Sequence, residues 1–417
     1  MKIHMPVLLT NAGWIRTPAS PDENGVPYEM RKLDADSILL ENGLVRWIGR
    51  EADAPLTKAE RVDLNGMGVT PGLIDFHAHP VFAATREAEF ELRTRGASYE
   101  EIAAAGGGIL NSARRVREAT EDHLFAHSLP FLDNALAAGT TTLEAKSGYG
   151  LEPDAEYKML RVIRRLNDVH ALDLFPTFLG AHEFPPEYRD DHEGYIATLI
   201  DEMIPYVARE GLAEACDIFC ETGVYSIEES TRILLAAKEH GLKVKVHADQ
   251  LSPLGGAKLA ADLGALSADH IEFIDDEGIE KLASSGTVAG LLPVAAHFLR
   301  MKEDPPVREM IDRGVICALA TDFNPGSSMC ESMTMALHLA VMRFRVNAEE
   351  AFWMATAGSA RALGLTDRGW IGEGALADLV VWSTDGIEQV PYHFGVNHAS
   401  QVYKRGRLAA KEGRPLS

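Results

Sequence analysis

Eight short runs of apolar and β-branched residues recur along the chain, most of them separated by stretches with helical periodicity. The runs span residues 73–79, 140–146, 172–182, 215–221, 243–249, 265–272, 287–294 and 315–322. Continuous apolar runs of this kind are typical of strands that are buried on both faces of a parallel sheet. The alternation of strands and helices therefore predicts an α/β protein whose core is a closed (β/α)8 barrel of the TIM type.

Helix signals between these runs agree with the alternation. Ser226 and Glu229 form a capping-box pattern at the start of one stretch, and Gly241 is placed to end it. Another stretch carries an apolar stripe at helical spacing, made of Met159, Leu160, Ile163 and Leu166. Both patterns predict amphipathic helices between the strands.

The two ends of the chain have a different pattern. Residues 37–48 predict two strands around an Asn-Gly turn, and short β-like runs return near the carboxyl end. Neither end is large enough to form a stable core alone. We therefore predict a small β-sandwich built from residues 1–70 and 365–417, next to a catalytic barrel formed by residues 71–364.

Composition and charge limit the possible partners. The 417 residues include 62 acidic and 40 basic side chains, which gives a net charge of -22. Such a chain does not attract nucleic acid or an anionic membrane, and an anionic ligand must be met by local positive groups. The sequence has no secretory signal, no membrane-spanning run and no CxxC pair among its four cysteines. We expect a cytoplasmic protein that binds a small molecule.

Candidate chemistry collects where the predicted strands end. His77 and His79 lie two residues apart, so in an extended strand both imidazoles leave the same face and form half of a metal site. In barrels of this type the active site lies at the carboxyl ends of the strands. The later runs end close to further polar residues, namely Lys146, His182, Glu221, His247, Gln250, His270, His297 and Asp322. Of these, Lys146 and Glu221 are as well explained by structural ion pairs.

Two segments resemble signatures of the amidohydrolase superfamily. They are VTPGLIDFHAH at residues 69–79 and GALADLVV at residues 374–381. Five further segments are similar to the imidazolonepropionase family within that group: REAEFE at 86–91, AAAGGGI at 103–109, KSGYGL at 146–151, FLGAH at 178–182 and TDFNPG at 321–326. The resemblance spans about residues 35–410.

This resemblance implies a metal-dependent hydrolase. One Zn²⁺ or Fe ion per chain would be held by His77, His79, His247 and Asp322, with a coordination position left for water. The implied reaction, a step of histidine degradation, opens the ring of 4-imidazolone-5-propanoate to give N-formimidoyl-L-glutamate. Glu221 leaves a two-metal site open, although the family favours one metal. A homodimer is also implied.

The resemblance also assigns roles to individual residues. His270 would polarise the ring carbonyl or move protons, Asp322 would accept the water proton, and Gln250 would donate a hydrogen bond to the ring. The anionic propionate would be bound by Arg86. The implied substrate-binding residues are Arg86, Tyr149, His182, Gln250, Asn324, Gly326 and Ser327. Tyr99 would assist, or would be an exposed tyrosine at a helix start.

One segment departs from the family pattern. Residues 293–298 read PVAAHF where the family commonly has an aromatic pair, and Met329 replaces a common proline. The altered segment and His297 keep open a related hydrolase that acts on a hydantoin- or thioxoimidazolidine-type propionate. A catalytically silent barrel is the other alternative, but such a barrel would be expected to have lost some of the four metal ligands.

Overall fold

The computed structural model describes residues 5–23, 25–96 and 107–416. At its centre, eight parallel strands pair in sequence order. They are Leu73–Asp75, Thr140–Lys146, Asp173–Ala181, Ala215–Cys220, Val246–Ala248, Ser267–His270, Val288–Leu291 and Cys317–Leu319, and a short strand, Lys243–Val244, precedes the fifth. The predicted (β/α)8 barrel is confirmed.

Residues just beyond the first and eighth strands close the barrel. The amide of Asp322 donates to the carbonyl of His77 at 3.0 Å, and the amide of His79 donates to the carbonyl of Phe323 at 2.8 Å. A parallel bridge between Ala78 and Phe323 lies at the same place. Closure therefore brings the two histidines of the first strand next to Asp322, which is more than 240 residues away in the chain.

Helices connect and cover the strands. The capping box is formed at the start of helix Ile227–Glu239, where Ser226 and Glu229 bond reciprocally, and Gly241 follows its end with a φ of 83°. The predicted apolar stripe is buried along helix Pro153–Val169. The other α-helices are Glu87–Thr94, Ile109–Glu118, Glu121–Ala137, His192–Thr198, Ile204–Arg209, Gly256–Leu263, Asp276–Ser285, Pro293–Phe298, Val307–Asp312, Met333–Arg343, Ala348–Trp353, Ser359–Ala362 and Gln389–Tyr392. Short 3₁₀ turns (Glu51–Asp53, Pro186–Tyr188) and π-helical turns (Leu199–Met203, Met354–Gly358) complete them.

Both ends of the chain contribute to two further sheets. The first has the order Leu44–Gly49, Ser37–Glu41, Val7–Thr10, Glu60–Asp63. The second has the order Arg414–Pro415, Arg407–Lys411, Ala399–Lys404, Leu379–Trp382, Gly68–Pro71, Trp14–Thr17, Arg31–Lys32. A core that includes Ile38 of the first sheet and Val69 and Val381 of the second packs between them. The terminal β-sandwich of the predicted fold class is confirmed, and its boundaries at residues 70 and 365 stay a prediction.

Several strands are shorter than the apolar runs predict. The sixth ends at His270, whose φ of 81° is left-handed, and the eighth ends at Leu319, three residues before Asp322, whose φ is 53°. The seventh ends at Leu291, because Pro293 opens a helix instead of extending the strand. In the described ranges, every helix is too short or too polar to cross a membrane.

Candidate metal centre and active site

Three histidines converge at the carboxyl ends of the barrel strands. His77, His79 and His247 are buried, and one ring nitrogen from each lies within 4.8 Å of the others. Asp322 Oδ1 lies 3.6 Å from His77 Nε2 and 3.5 Å from His79 Nε2. Ligands bonded at 2.0–2.1 Å in a tetrahedral site are about 3.4 Å apart. The spacing of these groups therefore fits a single metal ion.

One buried nitrogen of this cluster, His77 Nε2, is available to bind a ligand. His77 Nε2 has no hydrogen-bond partner within the described part of the chain, whereas its Nδ1 lies 2.6 Å from Asp269 Oδ2. His247 Nδ1 likewise lies 3.0 Å from Asp217 Oδ2. A metal-bound histidine usually places its second nitrogen on a carboxylate in this way, which orients the ring.

The electrostatics keep the imidazoles of His77 and His79 neutral. Burial holds the pKa values of His77 and His79 well below the ordinary value, and neighbouring positive charges lower them further. Burial also raises the pKa of Asp322, and the nearby histidines offset part of that rise. Neutral imidazole is the form that binds metal, and a cation would stabilise the ionised Asp322. The donor set therefore suits a metal cation.

His270 and Gln250 lie beside the same cluster. The ring of His270 lies 5.5 Å from that of His77 and 5.3 Å from that of His247, and its Nδ1 is buried without a partner in the described residues. Burial lowers the pKa of His270 to about 3, despite the nearby Asp322. His270 is thus a neutral side chain at neutral pH. Gln250 is buried at the end of the fifth strand.

Two predicted substrate contacts border the cluster on one side. The ring of His182 stacks on that of His79 at 5.3 Å, and Tyr149 lies 5.8 Å from His79 and 5.5 Å from His182. His182 Nδ1 donates to the carbonyl of Gly148 at 2.9 Å, so this nitrogen carries the proton. The rings of His182 and Tyr149, tilted by 46° to each other, border the proposed metal ligands on this side.

Arg86 meets the loop that follows the eighth strand. Its Nε donates to Glu89 Oε2 at 2.9 Å, and a Cβ at Gly326 would lie only 2.3 Å from Arg86 Nη1. Asn324 Oδ1 accepts from the amides of Gly326 and Ser327 at 2.8 Å each, which shapes the loop. Ser327 Oγ in turn lies 3.5 Å from Asp322 Oδ2. The loop thus links the arginine to the metal-ligand candidates.

Three residues at the predicted strand ends have other surroundings. Lys146 lies inside the barrel, where its Nζ contacts Asp217 Oδ2 at 2.6 Å. Glu221 accepts from the amide of Leu251 at 2.8 Å and is absent from the metal-sized groups found among the described residues. His297, which the sequence places in the seventh region, lies on helix Pro293–Phe298 directly after the seventh strand, where its side chain is exposed to solvent. Tyr99 lies outside the described residues.

Sequence reasoning missed the carboxylates that support the site. Asp217 and Asp269 contact the ring nitrogens of His247 and His77. Glu156 accepts hydrogen bonds from three backbone amides of the loop after the second strand, those of Gly148, Gly150 and Leu151. These bonds shape the segment that carries Tyr149. The available signal was the presence of acidic residues inside runs that the pattern predicts to be fully buried.

A barrel with a buried group of histidines and an aspartate at its carboxyl ends belongs to the class of metal-dependent hydrolases, and comparison with known proteins agrees. The model of the amidohydrolase family matches residues 187–410. An imidazolonepropionase from Geobacillus thermodenitrificans is 43% identical over 414 residues, which cover 98% of this chain and 97% of that protein. One from Paracoccus denitrificans is 48% identical over 378 residues, covering 90% and 94%. The chain therefore belongs to the amidohydrolase family and, within it, to the imidazolonepropionases.

Solved structures support the fold. A triazine hydrolase variant superposes with a TM-score of 0.75 at 18% identity, covering 99% of this chain and 96% of that one. An adenosine deaminase from Xanthomonas campestris, with bound zinc, gives a TM-score of 0.72 at 18% identity, covering 99% and 94%. At this identity the likeness concerns the fold alone.

Proposed function

We propose that this enzyme hydrolyses 4-imidazolone-5-propanoate to N-formimidoyl-L-glutamate, a step of histidine degradation. One Zn²⁺ or Fe ion would be held by His77, His79, His247 and Asp322. The observation that carries the proposal is this buried donor set, with His77 Nε2 left unpaired among the described residues, in a chain 41–48% identical to imidazolonepropionases. A metal bound there would polarise water and make it a nucleophile near neutral pH.

Arg86 would bind the propionate of the substrate. A guanidinium can donate two parallel hydrogen bonds to a carboxylate, and Arg86 is already oriented by Glu89 beside Gly326. Tyr149 and His182 would contact the face of the imidazolone ring, and the loop that includes Asn324, Gly326 and Ser327 would contact the rest of the substrate. These residues would place the ring carbonyl next to His270.

The ring opens when water adds to the carbonyl carbon and the ring C–N bond breaks. Asp322 would accept the proton that water loses, and the departing nitrogen must gain one. His270, held neutral by burial, would donate a hydrogen bond to the carbonyl oxygen as negative charge develops there. Gln250 cannot act as a base, so it would donate a hydrogen bond to the ring.

The alternative substrate, a hydantoin- or thioxoimidazolidine-type propionate, loses part of its basis. It depended on His297 and on the altered segment 293–298. His297 is exposed, whereas residues 293–296 are buried. Among the described residues, the groups of side chains spaced to hold a metal ion include no member of this segment.

The test is the decay of freshly prepared 4-imidazolone-5-propanoate, followed by absorbance, with untreated and chelator-treated enzyme. We expect the rate to fall to the uncatalysed value after chelation and to return with Zn²⁺ or Fe²⁺. Comparing the two metals identifies the ion that supports activity. Faster turnover of hydantoin propionate than of the imidazolone would overturn the proposed substrate, and full activity without metal would overturn the metal centre.

We further propose a cytoplasmic homodimer without nucleic-acid or membrane partners. The net charge of -22 disfavours binding to polyanions, and the family resemblance implies the dimer. Light scattering of the purified chain tests this state, and a monomeric mass at micromolar concentration would contradict it.

A further inference from the structure

Five ionisable side chains without exposed surface lie below the histidines, inside the barrel. They are Glu144, Lys146, Asp217, Lys245 and Asp269. Burying an unpaired charge costs several kcal/mol, so groups of this kind persist only when they are mutually paired. The proposed reaction assigns no step to any of the five.

The contacts form two parallel paths to the metal-ligand candidates. In the first, Lys146 Nζ lies 2.6 Å from Asp217 Oδ2, and the same oxygen lies 3.0 Å from His247 Nδ1. In the second, Lys245 Nζ lies 3.5 Å from Asp269 Oδ2, which lies 2.6 Å from His77 Nδ1. Lys146 Nζ also lies 3.9 Å from Asp269 Oδ2, so Lys146 reaches both histidines and Lys245 reaches His77.

Glu144 joins the two paths. Its Oε2 lies 2.9 Å from Lys146 Nζ and 2.7 Å from Lys245 Nζ, and its Oε1 accepts from the hydroxyl of Thr177 at 2.5 Å. Lys245 also donates to the carbonyl of Phe76 at 2.8 Å, in the segment that leads to His77. The two lysines are therefore held from several sides, and Asp269 is contacted through its Oδ2 by Lys146, Lys245 and His77.

The electrostatics of the two aspartates differ, because burial raises the pKa of Asp269 despite Lys245 and Lys146. Burial works against a charged Lys146, but Asp217 and Glu144 outweigh it and raise its pKa. Burial would also raise the pKa of Asp217, yet Lys146 and His247 hold it well below the ordinary value. Asp217 Oδ2 lies 3.0 Å from His247 Nδ1, and this contact turns the opposite ring nitrogen, Nε2, toward the proposed metal position.

We propose that Lys146 and Lys245, joined by Glu144, are positioning residues that orient His247 and His77 and thereby set the affinity of the metal centre. This inference rests on the metal centre of the proposed function. The lysines act through Asp217 and Asp269 and touch neither the metal position nor the substrate.

A simple charge effect predicts the opposite outcome. Replacing a lysine with methionine removes a positive charge near a cation site, which by Coulomb's law alone would tighten cation binding. If the lysines act by orienting the aspartates, the same replacement weakens binding. Lys245→Met and Lys146→Met therefore separate the two explanations by the sign of the change.

The experiment measures the dissociation constant for Zn²⁺ of the metal-free full-length chain, by competition with a chromophoric chelator. We expect it to rise by about 10- to 100-fold in Lys245→Met and Lys146→Met, the range found for outer partners of metal ligands. Lys404→Met is the matched control, because Lys404 is a buried lysine paired with Asp173 and Asp378 outside this cluster. Its dissociation constant should match that of the wild type.

An unchanged or lower dissociation constant in folded Lys245→Met and Lys146→Met would overturn the inference. If neither lysine variant folds, Thr177→Val carries the test, because it removes one hydrogen bond to Glu144 and changes no charge. A rise in its dissociation constant supports the positioning role, and no change overturns it. Failure of the wild type to bind metal would instead contradict the proposed metal centre.

Discussion

Two clusters of charged side chains in the described part of the chain, one buried and one partly buried, differ in which of their polar atoms lack a partner. In the first, Lys245 and Asp269 lead to His77, whose Nε2 has no partner among the described residues. In the second, Asp173 Oδ2 contacts Lys404 Nζ at 2.9 Å and Arg368 Nη1 at 2.6 Å. The second cluster lies at the start of the third barrel strand and pairs it with the terminal strand Ala399–Lys404.

Buried polar atoms without a partner distinguish a ligand-binding site from a structural ion pair. Both clusters satisfy the requirement that buried charges be paired. Among the described residues, the first cluster has buried ring nitrogens without a hydrogen-bond partner, on His77, His79, His247 and His270, whereas the second has none. Because buried polar groups are normally satisfied, a ligand is expected at the first cluster. The second is closed on itself and joins the barrel to the terminal sheets.

The largest expected effect follows from removing a metal ligand of the first cluster. Asp322→Asn should lose bound metal and lower kcat/KM by about 10³-fold or more, because the variant lacks both a charged ligand and the proposed proton acceptor. Metal analysis and the absorbance assay measure the two effects. Asp378→Asn, which changes a buried carboxylate paired with Lys404, is the control and should keep its metal. An Asp322→Asn enzyme with wild-type activity would contradict the ligand set.

The next effect tests the anion site beside the metal centre. Arg86→Ala should raise KM by about 30-fold or more, since truncating one partner of a desolvated charged pair costs about 2 to 5 kcal/mol. Metal content should not change. Arg95→Ala is the control, because Arg95 is an exposed arginine that follows the same helix. If Arg86→Ala has the KM of the wild type, the arginine does not bind the propionate.

A smaller effect is expected from crowding the same arginine. Gly326→Ala would place a Cβ 2.3 Å from Arg86 Nη1, so the guanidinium must move while its charge is kept. We expect KM to rise by about tenfold, within the range that a misplaced binding group costs. The double variant with Arg86→Ala should then show no further increase. A further increase would mean that Gly326 contacts the substrate independently.

The periodicity of the sequence predicts the barrel well because each strand run has a local signal. The run of residues 140–146 coincides with strand Thr140–Lys146, and the capping box of Ser226 marks a helix start correctly. The seventh predicted run, residues 287–294, is longer than the observed strand Val288–Leu291, and this difference has a local cause as well. The apolar run continues through Leu291 and Leu292, and only the structure shows that Pro293 begins a helix there.

In the candidate site, too, residues with a local sequence pattern could be predicted and contacts between distant residues could not. His77 and His79 could be predicted because i, i+2 spacing is a local pattern, and Asp322 because it follows a strand run. The pairing of His77 with Asp269 could not, because the two residues are 192 positions apart and meet only when the barrel closes. The positive φ values of His270 and Ile271 could not be predicted either, because neither residue type marks a left-handed conformation in the sequence.

The smallest effect concerns the second cluster and its dependence on pH. Burial disfavours an ionised Asp173, but Lys404 and Arg368 outweigh it and lower the pKa from 3.8 to about 2. A carboxyl whose pKa is lower in the folded state stabilises the fold above pH 3.8 and loses that contribution as the pH falls toward 2. Because Asp173 is partly exposed, we expect Asp173→Asn to lower the free energy of unfolding at pH 7 by about 1 kcal/mol.

Urea unfolding of Asp173→Asn and wild type at several pH values measures this contribution. The difference should be constant from pH 7 to pH 5, begin to shrink near pH 4 and be largely lost by about pH 2, where the carboxyl is protonated in the unfolded state and about half protonated in the folded state. The dissociation constant for Zn²⁺ should stay at the wild-type value throughout the neutral range. A weaker metal affinity in Asp173→Asn would mean that the two clusters are coupled, and the contrast between a site and a structural ion pair would fail.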